Sequence, residues 1–437
     1  VFLTSVTTAI GFMSMNFSDA PPFRDLGNIV AVGVMSAFVY SVTLLPALMM
    51  LLPVRVTPGS TRQSRLMDRF ADLVVQRRNF LFWGTGFIVV SLVLFIPRNE
   101  LNDEFIKYFD ESIEFRRSTE FTSEHLTGLY TIDYSLGAGE SGGISDPGFL
   151  QTVERFADWY ETQPEVLHVN TLPDILKRLN KNMHSDDEAW YRLPEQRDLA
   201  AQYLLLYEMS LPYGLDLNNQ IDVSKSATRM TVTVRNISSN EMLALEHKAQ
   251  KWLQEHAPSM QTTGASPSVM FAHIGQRNII SMLTGTTIAL VLISGILILA
   301  LQSFKIGVIS LIPNLAPTAM GFGLWGLLVG EVGLGLSVVA GMTLGIVVDD
   351  TVHFLSKYLR ARREQQLDPE GAVRYAFSTV GTALLVTSIV LIAGFMVLGQ
   401  SPFKLNADMG LLTAITIAFA LLADFLFLPP LLMKVEK

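Results

Sequence analysis

Seven runs of about twenty or more mostly apolar residues set the limits on what this 437-residue chain can fold into: 26–52, 79–97, 278–301, 304–330, 334–358, 376–398 and 406–433. A helix needs about 20 apolar residues to cross the hydrocarbon core of a bilayer. In lipid, every backbone N–H and C=O must also find its partner within the spanning structure. The chain is therefore expected to be a polytopic α-helical membrane protein. An eighth run, 1–17, is short for a span and opens without Met or a polar flank, so it reads as the end of a helix and the chain as a fragment. Only 16% of the residues are charged, against about 25% in soluble domains, and most of these lie in one polar block, 98–276. The chain has no cysteine, which excludes disulfides and thiolate metal sites.

Charge predicts the orientation. The linker 53–78 carries Arg55, Arg62, Arg65, Arg69, Arg77 and Arg78, and the segment after 356 carries Lys357, Arg360, Arg362, Arg363 and Arg374. Lys305 lies in a tight turn between two spans, and Lys434 and Lys437 close the chain. Alternating spans put these four regions on one side, which the positive-inside rule makes cytoplasmic. Block 98–276 then lies outside, with the loops near Asp19, Glu331 and Lys404. It holds 27 acidic and 15 basic side chains, a net of −12 against −8 for the whole chain. Such an acidic domain is unsuited to nucleic acid. In the linker, Leu66, Met67, Phe70, Leu73 and Val74 share one helical face. That pattern suits either a helix lying on the membrane surface or a small packing helix.

Within the outer block, 129–136 alternates like a strand, and Asp146 can cap a helix over 147–163. Strand-like 167–170, helical 172–182 and 195–209, alternating 229–235, helical 240–256 and a last short strand at 260–263 complete the pattern. Strand–helix–strand twice predicts a ferredoxin-like α/β sandwich.

Residues 1–50 align without gaps onto 384–433. Thr4-Ser5 matches Thr387-Ser388, Gly11-Phe12-Met13 matches Gly394-Phe395-Met396, Asp25 and Gly27 match Asp408 and Gly410, and Leu45-Pro46 matches Leu428-Pro429; 14 of 50 positions are identical. Ordered Gly, Asp and Pro matches exceed what apolar bias produces. Internal repeats are a mark of transporters. The domain plan is then 1–52 as the last two spans of a first repeat, 53–78 as a cytoplasmic linker, 79–97 as a span, 98–276 as the outer domain and 277–437 as a five-helix bundle.

Within 334–358 two aspartates stand side by side, Asp349 and Asp350. An ionisable side chain inside a span is a functional candidate by default, and two adjacent carboxylates in a low dielectric cannot both ionise cheaply. Gly341, Gly345, Asp349 and His353 recur every four residues and form one row on a helix. The glycines admit a close helix neighbour, which predicts that Asp349 faces protein. His353, the residue type that changes charge near neutral pH, is one turn on. Asp424, in 421–430, is a third intramembrane carboxylate at similar depth. Thr387 and Ser388 are candidate hydrogen-bond partners. The proton-relay set is thus Asp349, Asp350, His353 and Asp424, with Thr387 and Ser388 as partners. Pro313 and Pro317 should kink their span.

These residues carry a family resemblance. The chain resembles the C-terminal portion of a resistance–nodulation–division (RND) superfamily exporter of the MMPL/sterol-sensing-like branch. The features are Gly345-Ile-Val-Val-Asp349-Asp350 followed by His353, the Thr4–Phe12 pattern, the Leu44–Met49 ending and the outer stretch Thr171–Met209. The resemblance implies a proton-driven transporter of a bacterial inner membrane with a periplasmic domain. Its partners would be protons, membrane lipids, a hydrophobic or lipid-like cargo, a periplasmic carrier protein and further copies of itself. It implies no enzymatic activity and no cofactor. One departure stands out: drug-efflux members pair their carboxylates with an intramembrane Lys, and 278–301, 306–330, 334–356, 376–398 and 406–433 hold neither Lys nor Arg. A sterol-sensing-like lipid receptor without transport is the competing function. Adjacent aspartates on one helix do not suit an intramembrane protease, and three ligands on one helix cover little of a metal's coordination sphere.

Overall fold

The computed structural model describes residues 1–52, 61–212 and 214–436. The chain divides into two compact units, Val1–Asn102 with Ile274–Lys437, and Asp103–His273. Among the described residues seven helical segments are long and apolar enough to cross a membrane: Pro21–Leu51, Arg78–Arg98, Pro267–Leu301, Phe304–Leu328, Leu334–Arg363, Pro369–Leu398 and Lys404–Val435. The first helix, Phe2–Met13, is shorter and ends in a 3₁₀ turn at Ser14–Phe17.

Helix Val339–Arg363, which carries the aspartate doublet, is the centre of the first unit. It packs against Phe2–Met13, Leu311–Leu328, Pro369–Ala376 and Lys404–Leu422. Val347, Val348, Phe354 and Leu355 along it are buried. A helix apolar on all sides belongs in the interior of a bundle. Backbones approach closely where glycines remove the side chain. A Cβ on Gly323 would stand 2.0 Å from the Leu92 carbonyl oxygen, and one on Gly326 2.5 Å from that of Phe95.

The sequence repeat is also a packing repeat. A Cβ on Gly27 would meet the Phe12 carbonyl oxygen at 2.5 Å, and one on Gly410 would meet the Phe395 carbonyl oxygen at 2.8 Å. Gly27 and Gly410 are repeat mates, as are Phe12 and Phe395, so both helical hairpins close at the same point. Two π turns, Phe377–Gly381 and Ala423–Phe427, interrupt otherwise α-helical spans. Such single π turns are frequent at functional sites. Pro317 lies inside Leu311–Leu328, whereas Pro313 falls in its first turn. A proline is tolerated in a first turn because the missing N–H has no helical partner there, so only Pro317 is placed to bend the helix.

The linker helix spans Thr61–Gln76. Met67, Ala71, Val74 and Val75 are buried in a cluster with Phe354, Phe377, Leu428 and Leu432. Met67 and Val74 of the expected face therefore pack inward, whereas Leu66 and Leu73 remain exposed. Arg55, and the side chains of Arg62 and Arg65, lie outside the described residues.

In the second unit three antiparallel strands pair in the order Tyr130–Gly137, Ala227–Val234, Val166–Asn170, with a register shift between Val166 and His168. Met230, Val232 and Val234 alternate inward and are fully buried. Helix Pro147–Glu161 is capped by Asp146, whose carboxylate accepts from the amides of Gly148 (2.9 Å) and Phe149 (3.0 Å). Ser238 and Glu241 form a capping box on Ser239–His256, satisfying amides the helix itself cannot. Between sheet and helices lie Tyr134, Phe156, Tyr160 and Trp252, with the Tyr134 and Tyr160 hydroxyls 2.6 Å apart. The fourth strand expected at 260–263 does not form. Pro258–Met260 is a 3₁₀ turn, and a single bridge joins Asp133 to Ala265. Residues 261–264 take no regular structure, and the pairing with Tyr130–Gly137 is confined to Ala265, after which helix Pro267–Leu301 begins.

Candidate functional site

Gly341 and Gly345 meet helix Phe2–Met13: a Cβ on Gly11 would stand 2.6 Å from the Gly345 Cα, and one on Gly341 2.4 Å from the Ser14 hydroxyl oxygen. Thr8 Oγ1 donates to the Gly345 carbonyl at 3.0 Å. One turn further on, Asp349 Oδ1 is buried and makes no hydrogen bond. His353 Nε2 stands 3.4 Å from it. The Asp349 side chain keeps 42% exposure and that of His353 38%. The close contact with Phe2–Met13 is made at the glycines, one and two turns away.

Asp350 points a different way. Its Oδ2 lies 3.0 Å from the hydroxyl of Ser388, which is fully buried on helix Thr382–Leu398. Ser388 Oγ is also 2.8 Å from the Leu384 carbonyl oxygen. A hydroxyl has one proton to donate and two lone pairs to accept. When Asp350 is ionised, Ser388 donates to it. When Asp350 carries a proton, it can donate to Ser388, whose own proton then goes to Leu384. The same geometry therefore serves both protonation states.

Asp424 is 1% exposed and sits in the second π turn. Its Oδ1 accepts from Thr351 Oγ1 at 2.8 Å, while Oδ2 is buried without a hydrogen-bond partner. Thr351 follows Asp350 directly in the chain, so the Thr351–Asp424 and Ser388–Asp350 contacts start from adjacent residues of one helix. Three helices thus converge: Val339–Arg363 with Asp349, Asp350 and Thr351, Thr382–Leu398 with Ser388, and the Lys404–Val435 segment with Asp424. Thr387 does not join them. It is exposed, and its hydroxyl donates within its own helix to Ala383 and Leu384, because 100° of helix rotation separates it from Ser388.

Thr351 is the residue that sequence reading missed. Its position beside the doublet was the available signal, but a threonine in a span is ordinary. Below the carboxylates, the rings of Phe354, Phe377, Phe425 and Phe70 are in edge or tilted contact, with centroids 5.2–5.8 Å apart. These rings join both π turns to the linker helix. No group of three or more His, Asp or Glu side chains able to hold a metal ion occurs among the described residues.

The model of the MMPL family matches residues 1–81 and 223–435. The chain belongs to the MMPL family. That match takes in the glycine row, all three carboxylates and both repeat hairpins. A membrane protein of Methanocaldococcus jannaschii is 26% identical over 152 residues, 35% of this chain and 39% of that protein. Among solved structures, the hedgehog release protein Disp of the water bear Hypsibius dujardini superposes with a TM-score of 0.64 at 15% identity, covering 100% of this chain and 58% of Disp. SecDF is a more distant likeness, with a TM-score of 0.49 at 10% identity over 100% of this chain and 48% of its own. This MMPL chain therefore spans about two fifths to three fifths of the length of the proteins it matches. Its fold is similar to that of Disp, mostly helical, with seven segments among the described residues long and apolar enough to cross a membrane.

Proposed function

We propose that this MMPL chain is part of an RND-type transporter, driven by the proton-motive force, that exports or transfers a hydrophobic, lipid-like cargo across or out of a bacterial inner membrane. The observation that carries the reading is the meeting of Asp350–Ser388 and Asp424–Thr351 in a bundle whose apolar stretches 278–301, 306–330, 334–356, 376–398 and 406–433 hold neither Lys nor Arg. Carboxyls in that setting exchange protons through hydroxyls instead of neutralising a lysine. Each change of protonation redirects a hydrogen bond between helices, and such contacts contribute about 0.6–2 kcal/mol in membranes. The basic span ends face the cytoplasm in this reading, and the acidic second unit is periplasmic.

The second unit supports the cargo class. Its strand order, with the Ala265 bridge at the outer edge of Tyr130–Gly137, fits a ferredoxin-like sandwich whose fourth strand is reduced to one residue. A cavity of about 300 Å³ opens in it, walled by Phe105, Ile106, Phe115, Leu129, Met242 and Phe271. The Phe105 and Phe271 rings stack with centroids 5.5 Å apart. Concave, mostly apolar sites of this size take small hydrophobic ligands. A periplasmic carrier would receive the cargo, and assembly into a homo-oligomer is part of the same reading.

The test uses the full-length protein in proteoliposomes with an imposed proton gradient and a fluorescent lipid as cargo. Asp350→Asn and Asp424→Asn should each abolish gradient-dependent movement while leaving lipid binding intact. Wild-type binding with no dependence of movement on the gradient would instead identify a lipid sensor and defeat the proposal.

A further inference from the structure

Away from the carboxylates, a cavity of about 730 Å³ opens where the linker helix meets the start of Arg78–Val93 and the start of Pro369–Ala376. Three arginines line it, Arg77, Arg78 and Arg374, with Glu370 as its one carboxylate. Glu370 pairs with Arg78, and Arg374 Nε donates to Asp72 at 2.8 Å. Arg77 is exposed and makes no ion pair among the described residues. A guanidinium has five N–H donors in a planar fork, so the two pairings leave most donors of Arg78 and Arg374 available. The cavity therefore presents excess positive charge in the geometry that binds phosphate oxygens in bidentate fashion.

The depth of this cavity is marked independently. Arg78 and Pro369 open two of the membrane-crossing segments. Lys434, near the end of a third, holds its ammonium 4.3 Å from the Phe82 ring centre and 4.6 Å from that of Trp83. Three span ends thus meet at one level. Phe80, Trp83 and Phe87 are 72%, 68% and 73% exposed. Their spacing of three and four places them on one face of the helix, running from the cavity mouth into the apolar span. Trp flanked by basic residues is the usual arrangement at the bilayer interface, and a basic cavity between span ends suits an anionic headgroup.

We infer that this cavity is a binding site for an anionic phospholipid. The headgroup phosphate is held by Arg77 and Arg374, with Arg78 behind them, and the acyl chains lie along Phe80, Trp83 and Phe87. The site would tie the linker helix to the helix that leads into the first π turn. It does not depend on the transport reading.

The test uses the chain purified in maltoside detergent. Thermal unfolding and native mass spectrometry are run with phosphatidylglycerol, with phosphatidylcholine or with inorganic phosphate, each at equal phosphate concentration. Phosphatidylglycerol should raise the midpoint and be retained, while the other two should do neither. Arg77→Gln should weaken that effect roughly fivefold, and Arg77→Gln with Arg374→Gln about 25-fold, at the ~1 kcal/mol that each basic residue contributes near an anionic surface. Arg77 has no ion-pair partner among the described residues, so the single variant keeps the test valid even if the double variant unfolds. Equal protection by phosphatidylcholine, or no effect of Arg77→Gln, would overturn the site. Protection by inorganic phosphate alone would overturn the lipid assignment in favour of a free anion.

Discussion

Thr351 donates to Asp424 across 2.8 Å, from the helix that bears the aspartate doublet to a π turn of the last span. The bond fixes one oxygen of a buried carboxyl and leaves the other without a partner. Thr351→Val keeps the shape and removes the donor. It should lower stability by about 1 kcal/mol, the scale of interhelical hydrogen bonds in membranes, and should slow gradient-driven cargo movement. Thermal unfolding in detergent and proteoliposome transport read the two effects, and Thr351→Ser should restore both.

Ser388 and Thr387 are neighbours in sequence with opposite surroundings. Ser388→Ala removes the hydroxyl that serves Asp350 in both protonation states, and it should shift the pH profile of transport. Thr387→Val leaves the contacts of Asp350 untouched and should match wild type. A shift in both variants, or in neither, would contradict the assignment of the hydroxyl.

Gly11 and Gly394 are repeat mates that pack differently in this chain. A Cβ on Gly11 meets Gly345 backbone at 2.6 Å, whereas one on Gly394 meets nothing within 4 Å. Gly11→Ala should cost about 1–3 kcal/mol through overpacking against rigid backbone. Gly394→Ala should be neutral or slightly stabilising to this chain, since Ala is the better helix former. Denaturation of the two variants side by side checks the contrast.

Val74 of the linker helix is fully buried. Val74→Asp places a carboxyl in that apolar cluster at a cost of at least ~3 kcal/mol, so the helix should detach. Limited proteolysis within residues 61–76 should become fast in the variant and remain slow in wild type.

In the second unit, Asp222 accepts from the hydroxyls of Ser224 and Ser226 and from the amides of Ala227 (2.7 Å) and Ser226 (2.6 Å). These donors, Ser224 first, hold its carboxyl well below the usual carboxylate range. For a depressed group, the contribution is fully present above the ordinary Asp value near 4. It is lost only as pH falls through the lower folded value. The turn before strand Ala227–Val234 should therefore keep its amide protection from pH 7 down to about 4, and Asp222→Ala should lose that protection throughout. Hydrogen exchange at Ala227 measures both.

Much of this arrangement is legible along the chain because its signals are local or periodic. Span lengths follow from apolar runs, the Asp146 cap from one residue before Pro147, and the 227–234 strand from strict alternation. The hairpin closure at Gly27 and Gly410 follows from a repeat visible in the residues. The fourth outer strand expected at 260–263 is reduced to the single bridge at Ala265, because four residues carry too little pattern to show where pairing with Tyr130–Gly137 occurs. How much of Asp349 stays exposed is not legible in the sequence, because a glycine row shows where backbones touch and not how far the neighbouring helix covers the next turn.

Chemical character and membrane topology are written in one dimension, since hydrocarbon accepts apolar helices and resists carboxyls whatever their neighbours. Which carboxyl meets which hydroxyl is not. Asp350 chose Ser388 over Thr387, and Asp424 found Thr351, through rotations of about 100° per residue and contacts between positions 38 and 73 residues apart. Those pairings exist only once the helices are packed, because helix rotation and interhelical register are decided by the whole bundle at once.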